Sequence, residues 1–191
     1  MLDHSAQSGT HRLAERGPDN YSTPPVAVRA LLRAETLPKK IWEPACGTGN
    51  IVGVLRDAGH HVYATDLHDW GCPDSRSGVD FLREICAPLG TITIVTNPPF
   101  KIAQKFVAHA LDLCPRVIVL LRLAFLETQR RGPLFDRGVL ARVHVFRNRL
   151  PMMHRHNCTG RRASSGIAFA WFVFDHNHRG PPALDWISGR D

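Results

Sequence analysis

The stretch TITIVTN, residues 91–97, carries a β-branched side chain at almost every position and then stops at an amide. Such a run has no polar face to show to water, so it reads as a strand covered on both sides. RVIVLLR, starting at Arg116, reads the same way. Strands of this kind need helices above and below them, and the chain supplies the pattern. NIVGVLRDAG places Ile51, Val54, Leu55 and Ala58 at helical spacing, with Gly59 to end the helix. KIAQKFVAHALDL places Ile102, Phe106 and Ala110 on one side. KKIWE and HHVYATD supply two more strands. Strands alternating with helices predict an α/β protein with a doubly wound, mostly parallel sheet. ARVHVFR and IAFAWFVFD come late and are joined by a basic stretch rather than a helix, which predicts an antiparallel edge element near the C-terminus.

Smaller signals fill in the outline. In YSTPPVAVRALLRAE, Thr23 is expected to cap a helix and Pro24 to sit in its first turn. VDFLREI reads as a short strand or a turn. LETQRRGPLFD reads as a helix interrupted at Gly132-Pro133. The chain of 191 residues is long enough for one domain with a substantial core. We therefore expect a flexible lead over 1–17, one catalytic domain over 18–180 and a C-terminal tail over 181–191.

The net charge of +7, with 11 histidines uncounted, suits a polyanionic partner such as nucleic acid. The cysteines Cys46, Cys72, Cys86, Cys114 and Cys158 are odd in number and form no CxxC pair, which argues against a disulfide framework and for a reducing compartment. No apolar run approaches membrane-spanning length, and the first residues are too polar for a signal peptide. A cytoplasmic location without membrane association is the expectation.

In a doubly wound sheet, ligands sit at the carboxyl ends of the strands. Glu43, Asp66, Asp80 and Asn97 fall at or near such ends. EPACGTGN lies between a strand and a helix, and its glycines permit a tight turn and close approach of a ligand. The dinucleotide fingerprint GxGxxG fails, because Val52 stands where the third glycine belongs, and no Gly-Lys-Ser/Thr follows for a Walker loop. An acid at the end of the second strand can take ribose hydroxyls as donors, and Glu43 near the turn repels phosphate and attracts a cation. A ribose with a positive charge and no phosphate describes S-adenosylmethionine.

EPACGTGN, ATDL, VDFL and TNPPF in this order, with YSTPP ahead of them, resemble the class I amino-methyltransferases, especially small phage or prophage DNA adenine-N6 methyltransferases. The resemblance covers residues 18–180 and implies a Rossmann-like sheet binding S-adenosylmethionine. It implies that Tyr21 and Thr23 belong to the cofactor site, with Thr23 at the methionine carboxylate. Glu43, Ala45 and Gly47 would meet the methionine portion, Asp66 and Leu67 the ribose side, and Asp80 and Phe81 the adenine. Asn97 would border both cofactor and target.

The turn itself has a chemistry. Pro98 and Pro99 remove two donors and fix two φ angles, so Asn97 and Phe100 project from a stiff support. An exocyclic base amine is a poor nucleophile because its lone pair is delocalised. The Asn97 side-chain oxygen and the Pro98 carbonyl can accept both amine hydrogens and bind the nitrogen better as charge develops. Phe100 can stack on a base turned out of the duplex. Related turns also serve RNA adenine-N6, RNA guanine-N2 and protein glutamine methyltransferases, and a non-catalytic nucleic-acid-binding module is a further reading. No separate recognition domain fits, so the loops at 124–140 and 147–165 would read the target. Arg130, Arg131, Arg147, Arg149, Arg155, Arg161 and Arg162 are the candidate phosphate contacts. His154, His156 and Cys158 match no common zinc spacing, so no metal site is expected.

Overall fold

The computed structural model describes residues 21–127, 129–151, 153–154 and 166–190. The 1–17 lead and residues 155–165, with Arg155, Arg161 and Arg162, lie outside these.

In chain order the elements are β1 (Tyr21–Ser22), α1 (Pro25–Ala34), β2 (Lys40–Glu43), α2 (Asn50–Asp57), β3 (His61–Thr65), β4 (Ser75–Arg76), β5 (Thr93–Thr96), α3 (Ala103–Leu113), β6 (Arg116–Arg122), α4 (Gly132–Phe135), β7 (Leu140–Phe146), β8 (Met153–His154), β9 (Phe169–Asp175) and β10 (Ala183–Ile187). Eight strands form one sheet in the order β10-β7-β9-β6-β5-β2-β3-β4, while β1 and β8 pair separately. In the large sheet β9 runs antiparallel to both neighbours, and the other pairings are parallel. The reversed strand near the C-terminus is thus present, inserted between β6 and β7.

Strand alternation divides the core. Ile41, Val95, Ile118, Leu120, Trp171 and Val173 pack with α1 and α2 on one face. Trp42, Ile94, Val117, Val119, Leu121, Phe172 and Phe174 pack with α3 and α4 on the other. Successive side chains of a strand point to opposite faces, so the uninterrupted apolar runs are what a sheet sandwiched between helices requires. Among the described residues, no helix is long and apolar enough to cross a membrane.

Three local expectations change, and a fourth, open between strand and turn, resolves to a turn. Helix α1 starts at Pro25 with Pro24 as its cap residue and no side-chain cap, because a proline in the first turn forfeits no intrahelical bond; Thr23 is freed for another contact. The segment after Asp80 is a tight helical turn over Phe81–Arg83, whose Leu82 N–H is accepted by Asp80 Oδ1 at 3.1 Å. Gly132-Pro133 opens α4 rather than interrupting a longer helix; tight turns over Leu123–Leu126 and Gln129–Arg131 precede it. The expected tail at 181–191 contains β10, which runs parallel to β7 from Ala183 opposite Arg142 to Ile187 opposite Phe146. It completes the hydrogen-bonding edge that β7 would otherwise leave open.

Candidate active site

The chain leaves β2 through α2 to reach β3 on one side, while β5 lies on the other side of β2. The sheet order reverses there, and the carboxyl ends of β2, β3 and β5 frame a cleft of about 310 Å³. Its wall includes Thr23, Ala45, Gly47, Asp66, Leu67, Asp80, Phe81, Asn97 and Pro99. Residues distant in sequence are therefore brought to one place.

The turn after β2 is built on two glycines with φ of +53° at Gly47 and +88° at Gly49. A Cβ on Gly49 would stand 2.8 Å from Cys72 Sγ, so a side chain there is excluded by space as well as by backbone. The Gly47 N–H donates to Asp66 Oδ2 at 2.9 Å, and the Cys46 N–H donates to the Thr65 carbonyl at 3.1 Å. These bonds join the ends of β2 and β3 into one rim. Asp66 Oδ1 also accepts the His68 N–H at 2.9 Å and the Trp70 indole N–H at 3.1 Å.

Glu43 is placed differently from the resemblance. Its side chain is fully buried behind the glycine turn and does not line the cleft. Oε1 accepts the Ala45 N–H at 3.1 Å, and Oε2 finds no partner among the described residues. Burial, helped by the nearby Asp66 charge, pushes this carboxyl up to about 8, against the opposing effects of the neighbouring Thr96 hydroxyl and the Ala45 N–H. A cation in front of the turn would offset that cost.

Thr23 is buried, and its hydroxyl accepts the Asn97 Nδ2–H at 3.1 Å. Its carbonyl accepts from Asn50 Nδ2 at 3.1 Å, and Asn50 also binds the Ser22 hydroxyl. The segment before α1, the glycine turn and the end of β5 are thereby cross-linked. With Nδ2 donating to Thr23, the Oδ1 end of the Asn97 amide is left as the acceptor. Pro98 is buried beneath it. Phe81 belongs to the core as much as to the cleft: its ring stacks on Phe106 at 4.2 Å and meets Trp42 edge-on at 5.2 Å.

Phe100 stands outside this wall. Its ring packs against Phe169 at 5.8 Å, and the Arg122 guanidinium lies over it, 4.7 Å from the centroid. Arg130, Arg147 and Arg149 are exposed. Arg131 is engaged within its own loop: its Nη1 donates to the carbonyls of Ala124, Phe125 and Glu127, and its guanidinium stacks on Phe125 at 4.5 Å. It pins its own loop. Sequence reasoning missed Ser22, Asn50, Trp70, Ile102 and Phe106 in the wall. Asn50 closes the motif GTGN and was within reach of it; Trp70 sits in a loop with no periodic signal.

No protein-family model matches the sequence, and no curated protein does. Solved structures do match, and they define the class of fold: it is the Rossmann-like class I methyltransferase sheet. The "modification subunit of a putative type I restriction enzyme" from Vibrio vulnificus YJ016 is similar with a TM-score of 0.61 and 14% identity, over 88% of this chain and 47% of that one. This chain thus spans about half the length of that subunit. The 23S rRNA methyltransferase ErmE gives a TM-score of 0.56 and 16% identity over 85% of this chain and 70% of its own. A TehB-like SAM-dependent methyltransferase from Corynebacterium glutamicum gives 0.50 and 18%, over 78% and 86%.

Proposed function

We propose that this protein transfers a methyl group from S-adenosylmethionine to the exocyclic N6 amine of adenine in DNA. The observation that carries the reading is the position of the Asn97-Pro98-Pro99 turn. Asn97 and Pro99 share a cleft wall with Gly47 and Asp66, and the Asn97 amide is tied to Thr23. The site fits the cofactor chemically. It has a buried acid whose ionisation a cation would favour, a glycine turn with no room for a side chain at Gly49, and a second acid at the neighbouring strand end.

In this reading Asp66 holds the ribose, Ala45 and Gly47 border the methionine portion, and Thr23 faces its carboxylate. Tyr21 and Leu67 flank the site, and Asp80 and Phe81 take the adenine. Glu43 acts from behind the turn through its hold on Ala45, and a bound cation would favour its ionised form. S-adenosylmethionine, when bound, supplies a methyl group on a sulfonium. The chain's own part is the target amine. Asn97 Oδ1 and the Pro98 carbonyl accept its two hydrogens, draw its lone pair out of the ring, and bind the nitrogen more strongly as positive charge develops. Phe100 lies beyond the cofactor wall, and a base turned out of the duplex would stack on it by displacing the Arg122 guanidinium from its ring. Exposed Arg130, Arg147 and Arg149, with Arg155, Arg161 and Arg162, would meet the phosphates.

The test is transfer of labelled methyl from S-adenosylmethionine to DNA, RNA and protein pools in parallel, followed by nucleoside and residue analysis. N6-methyladenine in DNA is the expected product. Label in RNA as N6-methyladenine or N2-methylguanine moves the substrate to RNA, label on glutamine moves it to protein, and no label in any pool leaves a binding module.

A further inference from the structure

Asp66 carries more donors than a waiting ribose acceptor should. An ionised carboxylate offers about four lone-pair positions, two on each oxygen. Oδ2 spends one on the Gly47 N–H at 2.9 Å. Oδ1 spends both, on the His68 N–H at 2.9 Å and on the Trp70 indole N–H at 3.1 Å. One position remains on Oδ2, whereas the two neighbouring hydroxyls of a ribose need two.

The three donors are not equivalent. Gly47 and His68 donate from the backbone of the turn and of the strand end, and neither can leave without rebuilding the rim. Trp70 donates from a side chain. The loop around it is held on both sides. Asp69 Oδ1 accepts the Gly71 N–H at 2.9 Å, Cys72 is buried beside Gly49, and Arg56 donates to the carbonyls of Pro73 at 2.9 Å and Asp74 at 3.3 Å. The Trp70 ring is half-buried in the cleft wall and touches only the edge of His68 among the described aromatic rings, at 5.7 Å. Rotation of this one side chain releases the acceptor while the backbone stays in place.

We infer that Trp70 is a built-in competitor for the ribose: its indole N–H holds the position on Asp66 that one ribose hydroxyl needs, and cofactor binding displaces it. The inference rests on Asp66 being the ribose acceptor. The contact keeps a nearly buried carboxylate satisfied, which avoids the cost of an unpaired charge. The same contact lowers the apparent affinity for the cofactor, because it must be broken first.

Two measurements test it. Trp70→Phe keeps a ring in the wall and removes the N–H. Calorimetric titration with S-adenosylmethionine should show binding roughly three- to tenfold tighter than in the wild type, the worth of one net hydrogen bond. In the wild type, the Trp70 indole N–H resonance, identified by its loss in the variant, should move upfield on saturation as it leaves the carboxylate. Unchanged or weaker binding by a folded variant overturns the inference, because Trp70 is then neutral or donates to the ligand. So does an indole resonance that keeps its position at saturation, a result independent of how the variant folds. If neither protein binds S-adenosylmethionine, the cofactor reading itself fails, and the ribose role of Asp66 and the inference fall with it.

Discussion

Glu43→Gln should make this protein more resistant to alkaline unfolding while weakening its hold on the cofactor. The wild-type carboxyl is fully buried, with Oε2 lacking a partner among the described residues, and burial pushes it up to about 8 from an ordinary 4.5. The unfolded chain titrates this group near 4.5 and the folded chain near 8, so between those values the unfolded state gives up its proton first. The group's contribution is intact below pH 4.5 and is lost as pH rises to 8. At about 1.36 kcal/mol per pH unit, a span of roughly 3.5 units amounts to as much as about 5 kcal/mol, a large share of a domain's usual stability. Glutamine retains an acceptor for the Ala45 N–H and does not titrate. The measurement is urea unfolding of both proteins from pH 4 to 9. The stability of the variant relative to wild type should climb across that range, whatever constant offset the amide introduces. Saturating S-adenosylmethionine should stabilise the wild type more at pH 8 than at pH 5, because its cation offsets the buried charge; in the variant the gain should show no such rise. A stability difference that is flat with pH would refute the argument, since Glu43 would then titrate alike in both states.

Asn97→Ala should leave cofactor binding near wild type and lower single-turnover methyl transfer by roughly a hundred- to a thousand-fold, the usual loss for one preorganised group acting on developing charge; transfer at the wild-type rate would remove it from the chemistry. Glu35, nearly buried at the end of α1, is held by His144, Arg142 and Arg116; burial alone would raise its carboxyl, but these hydrogen bonds and charges outweigh it and bring it to about 2. Its stabilisation, up to about 3 kcal/mol, is present above pH 4.5 and lost as pH falls toward 2, so acid unfolding of Glu35→Gln should lack the extra pH dependence seen in the wild type. Arg131→Ala should lower the melting temperature and leave the salt slope of DNA binding unchanged, whereas Arg130→Ala should reduce that slope by about 1; the opposite pattern would make Arg131 the phosphate contact.

The local pattern was sufficient for what depends on near neighbours. Runs such as TITIVT and RVIVLLR, short and rich in β-branched residues, read as strands covered on both faces, although Ile92 at the start of the first run is exposed, and the helices between them followed from their spacing. The same local signals picked out the stiff turn at Asn97 and the glycine turn before α2. Sequence could not say which strands become neighbours, because pairing depends on how the whole sheet buries its edges. That is why β10 looks like a tail in the sequence and why β9 proved to lie between β6 and β7. Nor could it say which way a side chain turns. Glu43 went behind the glycine turn rather than into the cleft, Thr23 gave up capping α1 to hold Asn97, and Arg131 turned one end of its guanidinium back onto its own loop. These outcomes depend on which donors and acceptors lie within about 3 Å of a side chain once the elements have packed, a competition that only the folded chain sets up.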